Sequence, residues 1–158
     1  MKKLILLLFF LFISNVFADD VATNVLKLKS LNACKDCDLR SATLTNAILS
    51  GANLTDANLT NANLFGVNFI GADLTNANLT NANLTDANLT KSKLYMAYLQ
   101  DVELLRVNFT GADLSGANLI RANFSGANLE KAELSFANID GVIFCNTKTP
   151  WGIDNSGC

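Results

Sequence analysis

The chain has 158 residues, half of them apolar, with twelve basic and fourteen acidic side chains and no histidine. That length fits a single domain, and a formal charge of −2 leaves no basic patch for nucleic acid. With neither histidine, the commonest general base and metal ligand, nor a Gly-rich phosphate loop or clustered acid pair, the sequence argues against an enzyme and against a cofactor or metal.

Residues 1–18 read as a signal peptide. Met1-Lys2-Lys3 precede an unbroken apolar run from Leu4 to Ile13, and Val16-Phe17-Ala18 puts small residues where a signal peptidase reads them, so cleavage is expected after Ala18. The competing reading, a membrane anchor, needs about 20 apolar residues. Leu4 to Ala18 is fifteen, interrupted by Ser14 and Asn15, and no Cys follows closely enough for a lipid anchor. Removal leaves ten basic and fourteen acidic residues, a net of −4, on a protein expected in a periplasm or beyond, without a membrane span.

Residues 19–36 form an N-terminal cap. Val21, Val25 and Leu28 fall at helical spacing with Leu26 and Leu31 on the flanks, which predicts a short helix between Asp19 and Ala33. Its expected place is over the first turn of the repeats that follow, whose bare end would otherwise expose leucines and unpaired strand edges. Cys34-Lys35-Asp36-Cys37 is open to three readings: redox motif, half metal site or structural bridge. Thioredoxin-type chemistry wants a βαβ setting that is absent. Zinc needs two more ligands, and Cys145 and Cys158 lie at the far end of the chain. In an oxidising compartment a Cys34–Cys37 disulfide leads.

Residues 37–144 are periodic. From Leu39 to Phe144 every fifth residue is Leu, Phe or Ile: seventeen Leu, Phe69, Phe109, Phe124, Phe144 and Ile139. Two residues earlier sits a small side chain, sixteen times Ala, and the residue between is Asn or Asp fifteen times. On an α-helix a step of five turns the side chain by about 500°, so the leucines spiral and make no face. In one long strand the same step alternates faces and sends half of them into solvent.

Both demands are met if three residues run extended and two turn a corner. The small residue and the Leu then point inward together, and the corner pairs Thr-Asn, Thr-Asp, Ser-Gly and Ile-Gly suit tight turns. Four right-angled corners close a square coil of twenty residues. About five and a half coils, stacked at roughly 4.8 Å, make a rod on the order of 26 Å long. Its hand is expected to be right, as for nearly all parallel crossovers.

The model predicts columns. Leu39, Leu59, Leu79, Leu99, Leu119 and Ile139 stack on a first side; Leu44, Leu64, Leu84, Leu104, Phe124 and Phe144 on a second. Leu49, Phe69, Leu89, Phe109 and Leu129 form a third, and Leu54, Leu74, Leu94, Leu114 and Leu134 a fourth. No enclosed pocket for a small molecule fits inside a solid Leu/Ala interior.

The outward positions are uniform from Leu49 to Leu89 and change character from Lys91 to Val107. On the square model Tyr95, Met96, Tyr98, Leu105 and Ile120 wrap two corners as an exposed apolar cluster fringed by charge, the look of a partner-binding patch. The bland alternative is drift at outward positions that packing does not constrain. Phe65, Ile70 and Phe136 are further outward apolars, but scattered.

Residues 145–158 leave the register. A Cys145–Cys158 bridge would close a 14-residue loop, a C-terminal cap, and stabilise by roughly 3 kcal/mol. Trp151 and Ile153 are then placed to cover the last leucine layer. Four cysteines allow three pairings, and a rod that holds the two end pairs apart favours the local one.

The Ala-Asn/Asp-Leu-x-x pattern, as in Ala52-Asn53-Leu54 and Ala72-Asp73-Leu74, resembles the pentapeptide repeat family over residues 37–146, about two thirds of the chain. The resemblance implies a right-handed quadrilateral parallel β-helix. Exported members look similar at both ends, with a Cys pair before the first repeat and a Cys-closed tail like Asn155-Ser156-Gly157-Cys158. The expected function is that of an exported, non-enzymatic scaffold presenting a surface to a protein, an envelope component or a second copy. The alternative comes from cytoplasmic members that resemble a DNA duplex, bind type II topoisomerases and protect them from quinolone-like inhibitors. Six basic and nine acidic residues over 39–144 are thin charge for such a mimic, and a signal segment would send it away from that target.

Overall fold

The computed structural model describes residues 20–158; the signal segment expected over residues 1–18, with cleavage after Ala18, lies outside the described residues. Helix α1, Val21–Leu31, begins where Asp20 in extended conformation accepts a hydrogen bond from Ala22 N–H at 3.2 Å, and ends at Asn32 in the left-handed region. Leu28 and Asn24 are buried, Val21 and Val25 half-buried, Leu26 and Leu31 exposed. The buried stripe lies on the open end of the first coil, where the Asn24 side chain donates to the Asp38 carbonyl at 3.0 Å and Asn32 to Ser50 at 2.8 Å.

From residue 33 onward the chain winds as a square parallel β-helix. Each side pairs with the residue twenty positions on, from Ala33 with Asn53 to Asn128 with Lys148. Asn58, Asn78, Tyr98, Asn118 and Asn138 therefore follow one another up the first side. Asn63, Asn83, Glu103, Asn123 and Ile143 climb the second, Asn68, Asn88, Asn108, Asn128 and Lys148 the third, and Asn53, Asp73, Lys93, Asp113 and Glu133 the fourth.

Every N–H of a regular repeat finds a partner, which is why five residues suffice. Leu59 donates up the axis to Asn78 at 2.7 Å and Asn61 to Thr80 at 3.0 Å; Ala62 closes the corner onto Leu59 at 3.0 Å, and Asn63 reaches down to Ala42 at 2.9 Å. The remaining N–H, that of Thr60, points to no backbone carbonyl. It is taken by the side chain of Asn58 at 3.1 Å, two residues back. All fifteen Asn and Asp residues at this position do the same, from Asp38 to Asn138. The polar residue of the repeat is thus a backbone acceptor before it is anything else. The second corner residue takes positive φ throughout, which explains its enrichment in Asn, Asp and Gly.

Inside, leucines from Leu39 to Leu129 are fully or almost fully buried, and so are the alanines between them except the half-buried Ala47. The Phe rings meet around one corner, Phe109 against Phe124 at 5.7 Å and Phe124 against Phe144 at 5.8 Å between centroids. Sulfur atoms of Cys34 and Cys37 lie at 2.10 Å, and those of Cys145 and Cys158 at 2.13 Å.

The C-terminal end departs from expectation. Strand β1, Thr147–Thr149, continues the third side; the chain reverses at Pro150-Trp151, and β2, Gly152–Asp154, returns antiparallel along β1. The tail so adds a layer over the third side and, through Ser156 accepting from Phe144 N–H at 2.8 Å, over the second. It never reaches the fourth and first. Leu134 is only half-buried and Ile139 is 43% exposed, so the expected first-side column ends in a residue that is not core. Trp151 packs edge-on against Phe144 but stays 59% exposed, and Ile153, paired with the outward Lys148, is 65% exposed. Neither closes the last leucine layer.

Candidate functional site

Three successive repeats abandon the acceptor position: Lys93, Tyr98 and Glu103 stand where Asn or Asp stands in the repeats on either side. The N–H groups of Tyr95, Gln100 and Leu105 accordingly lack the side-chain bond that Thr75, Thr80 and Thr85 make one coil below. Each replacement forgoes a local hydrogen bond worth about 1 kcal/mol. Four other repeats lack the acceptor as well, Thr43 and Ile48 near one end of the rod and Glu133 and Ile143 near the other; between Asn53 and Asn128 the loss is confined to these three consecutive repeats, where it coincides with the apolar residues.

Tyr95 and Met96 form the corner between the fourth and first sides, and Tyr98 stands mid-way along the first, between Asn78 below and Asn118 above. Exposures are 50%, 49% and 49%, so the three side chains present apolar surface where the coil below carries Thr75, Asn76 and Asn78 and the coil above Ser115, Gly116 and Asn118. Met96, at φ 57°, leans over Gly116 of the next coil: a Cβ there would lie 2.7 Å from the Met96 sulfur. The glycine gives the methionine its bed.

The coil register splits the rest of the expected cluster. Ile120, half-buried, ends the first side one coil higher, its carbonyl accepting from Asp101 N–H at 3.0 Å. Leu105, also half-buried, sits on the corner between the second and third sides, diagonally opposite Tyr95 and Met96. Five residues are one quarter turn, so ten residues carry it to the opposite corner. Leu105 does not share a surface with the tyrosines.

Charged pairs set twenty residues apart frame the patch, and sequence reading missed them although that offset marks them. Lys93 meets Asp73 at 3.5 Å on the side before Tyr95. At the corner beyond Tyr98, Arg121 clasps Asp101 with both bonds at 2.6 Å, and at the next corner Arg106 clasps Asp86 with both at 2.7 Å. The Arg121 hydrogen bonds hold the Asp101 carboxyl below the usual aspartate range, and those of Arg106 do the same for Asp86. Among the described residues, no group of three or more His, Cys, Asp or Glu side chains is placed to hold a metal ion.

Two family models match the chain: "Pentapeptide repeat region" over residues 26–113 and "Pentapeptide repeats", in eight copies, over 108–144. Among solved structures, the chain is similar to the pentapeptide repeat protein Rfr23 of the cyanobacterium Cyanothece 51142, at 27% identity over 78% of this chain and 94% of that one, TM-score 0.44. It is similar to HetL of Nostoc sp. PCC 7120, a protein involved in heterocyst differentiation regulation, at 25% identity over 76% and 77%, TM-score 0.37. A third is QnrB1, a plasmid-mediated fluoroquinolone resistance protein, at 20% identity over 78% and 67%, TM-score 0.31. No curated protein matches.

Proposed function

This chain belongs to the pentapeptide repeat family, and from that premise we propose that it is an exported, non-enzymatic scaffold whose Tyr95, Met96 and Tyr98 engage a partner protein or envelope component. The mature protein begins after Ala18, in an oxidising compartment suited to the two cysteine pairs, and its coil is right-handed with about five and a half turns. The carrying observation is the coincidence at residues 93–103: three backbone acceptors are given up where three half-exposed apolar side chains appear. Aromatics and methionine ringed by charge are the composition of an interface core with a polar rim. Leu105 and Ile120 lie outside that core.

A photo-crosslinking residue at position 98, compared with one at 118 on the same side, tests this in the producing cell. Adducts at 98 that vanish with Tyr95→Ser and Met96→Asn are expected; equal adducts at both positions contradict it. Fractionation separates the reading from topoisomerase protection. Accumulation in the cytoplasm with an uncut N-terminus would favour the latter.

A further inference from the structure

We propose that Met96 is a site of reversible oxidation, where a hydroperoxide converts the thioether to a sulfoxide and so releases the partner held by the tyrosine patch. Such control presupposes that Tyr95, Met96 and Tyr98 form the docking surface described above.

The oxidisable side chains are gathered at that surface. Both tyrosines of the chain are Tyr95 and Tyr98, and its two methionines are Met1 and Met96. Cleavage after Ala18 removes Met1, so the mature chain keeps one thioether, and it stands between the tyrosines. The other sulfurs are spent: Cys34 is bonded to Cys37 and Cys145 to Cys158, with no free cysteine among the described residues. A thiolate, the usual first target of a peroxide, is therefore missing there. Met96, half-exposed, takes its place.

The backbone does not favour a methionine at this corner. Met96 holds φ 57°, in the left-handed region that Asp36, Asp56 and Asn76 occupy with less strain in the coils below. Its sulfur rests over Gly116, where a Cβ would come within 2.7 Å of it.

That bed suits the thioether and not its oxide. Ser115 N–H donates to the Asp113 carboxylate at 2.9 Å, Gly116 to Ser135 at 2.9 Å, Ala117 to Leu114 at 3.0 Å and Asn118 to Ala97 at 2.9 Å. A sulfoxide oxygen turned toward the bed would find no backbone donor left. Turned to water, it sets a polar group between Tyr95 and Tyr98 or lifts the side chain off the glycine, and either breaks the apolar surface.

In the oxidation, a sulfur lone pair attacks the outer peroxide oxygen; the O–O bond breaks, an S–O bond forms, and water or an alcohol leaves. Sulfur gives up two electrons and the peroxide takes them. A dithiol-dependent reductase reverses the step, the oxygen leaving as water while the dithiol becomes a disulfide. The rod itself is not involved, because the interior beside Met96 is Leu94, Ala97 and Leu99, all fully buried.

The test treats the disulfide-bonded chain from Asp19 onward with hydrogen peroxide, and repeats the photo-crosslinking from position 98 in the producing cell before and after the same treatment. In the purified chain one oxygen atom should be added, at residue 96, with the melting temperature unchanged. In the cell, adducts should fall by about tenfold or more, persist in Met96→Leu, and return when a methionine sulfoxide reductase and its dithiol are supplied. An oxygen placed first on Trp151, parent adducts that survive full conversion at residue 96, or an equal loss in Met96→Leu overturns the proposal. If Met96→Leu forms no adducts even without peroxide, repair decides: adducts that return with the reductase support the switch, and adducts that stay lost overturn it. Untreated parent without adducts is a separate result, which sinks the docking surface itself and the switch with it.

Discussion

The side-chain oxygen of Asn78 accepts a hydrogen bond from the N–H of Thr80 at 3.0 Å, and one coil higher Tyr98 offers Gln100 no such acceptor. Restoring it should stabilise the fold. Tyr98→Asn is expected to raise the free energy of unfolding by about 1 kcal/mol while abolishing partner contact. Urea unfolding and crosslinking on the same variant check both halves; a variant that is no more stable would remove the reason for calling residues 93–103 specialised.

The core prediction contrasts two residues of one column. Leu79 is fully buried and Ile139 is 43% exposed. Leu79→Ala should cost about 2–5 kcal/mol by transfer and cavity terms, and Ile139→Ala in the isolated chain clearly less. Equal losses in denaturant titrations below the micromolar range would contradict the open C-terminal end.

Gly116 carries φ +67°, and a methyl group there would meet the Met96 sulfur at 2.7 Å. Gly116→Ala should cost about 1 kcal/mol for the left-handed backbone and displace Met96. The Met96 ε-methyl resonance is the readout, and an unchanged shift would mean the side chain rests elsewhere.

Asp86 and Asp101 are both held below the usual aspartate range by their arginines. A depressed folded value means that the stabilisation is fully present above the ordinary aspartate pKa of about 4 and is lost as pH falls through the folded value. Because both carboxylates are exposed the effect should be small and salt-sensitive. The melting-temperature difference between the parent and Asp101→Asn is expected to be constant from neutral pH down to about 5 and to shrink in stronger acid; a difference that grows on acidification would reverse the assignment.

The Cys145–Cys158 bridge spans thirteen positions and ties down the hairpin, whereas Cys34 and Cys37 are three apart. Replacing the C-terminal pair by serine should cost about 3 kcal/mol by loop closure and the N-terminal pair less. Calorimetry of the two double variants gives the order directly.

The columns were legible because a period of five is incompatible with helix and strand alike, so Leu59 and Leu79 had to stack. Helix α1 was legible from Val21, Val25 and Leu28. The role of the central Asn was not, because periodicity shows which residues face out and not what their side chains bond; Asn58 turned back to its own corner. The Leu105 error was one of counting sides, since ten residues on a square lead to the opposite corner. The uncovered end was hidden because nothing in Pro150-Trp151 says which way a reversed tail will lie, and it folded over the third and second sides, away from Ile139.

The stacking of consecutive coils is tested most directly by scalar coupling across the hydrogen bond from Leu59 N–H to the carbonyl of Asn78, 2.7 Å apart and nineteen positions along the chain. A measurable coupling between that amide nitrogen and that carbonyl carbon, repeated for Leu79 and Tyr98, is the expected result. A coupling from Leu59 to any carbonyl within its own or the neighbouring repeat would contradict the twenty-residue coil on which the surface patch and the open end both depend.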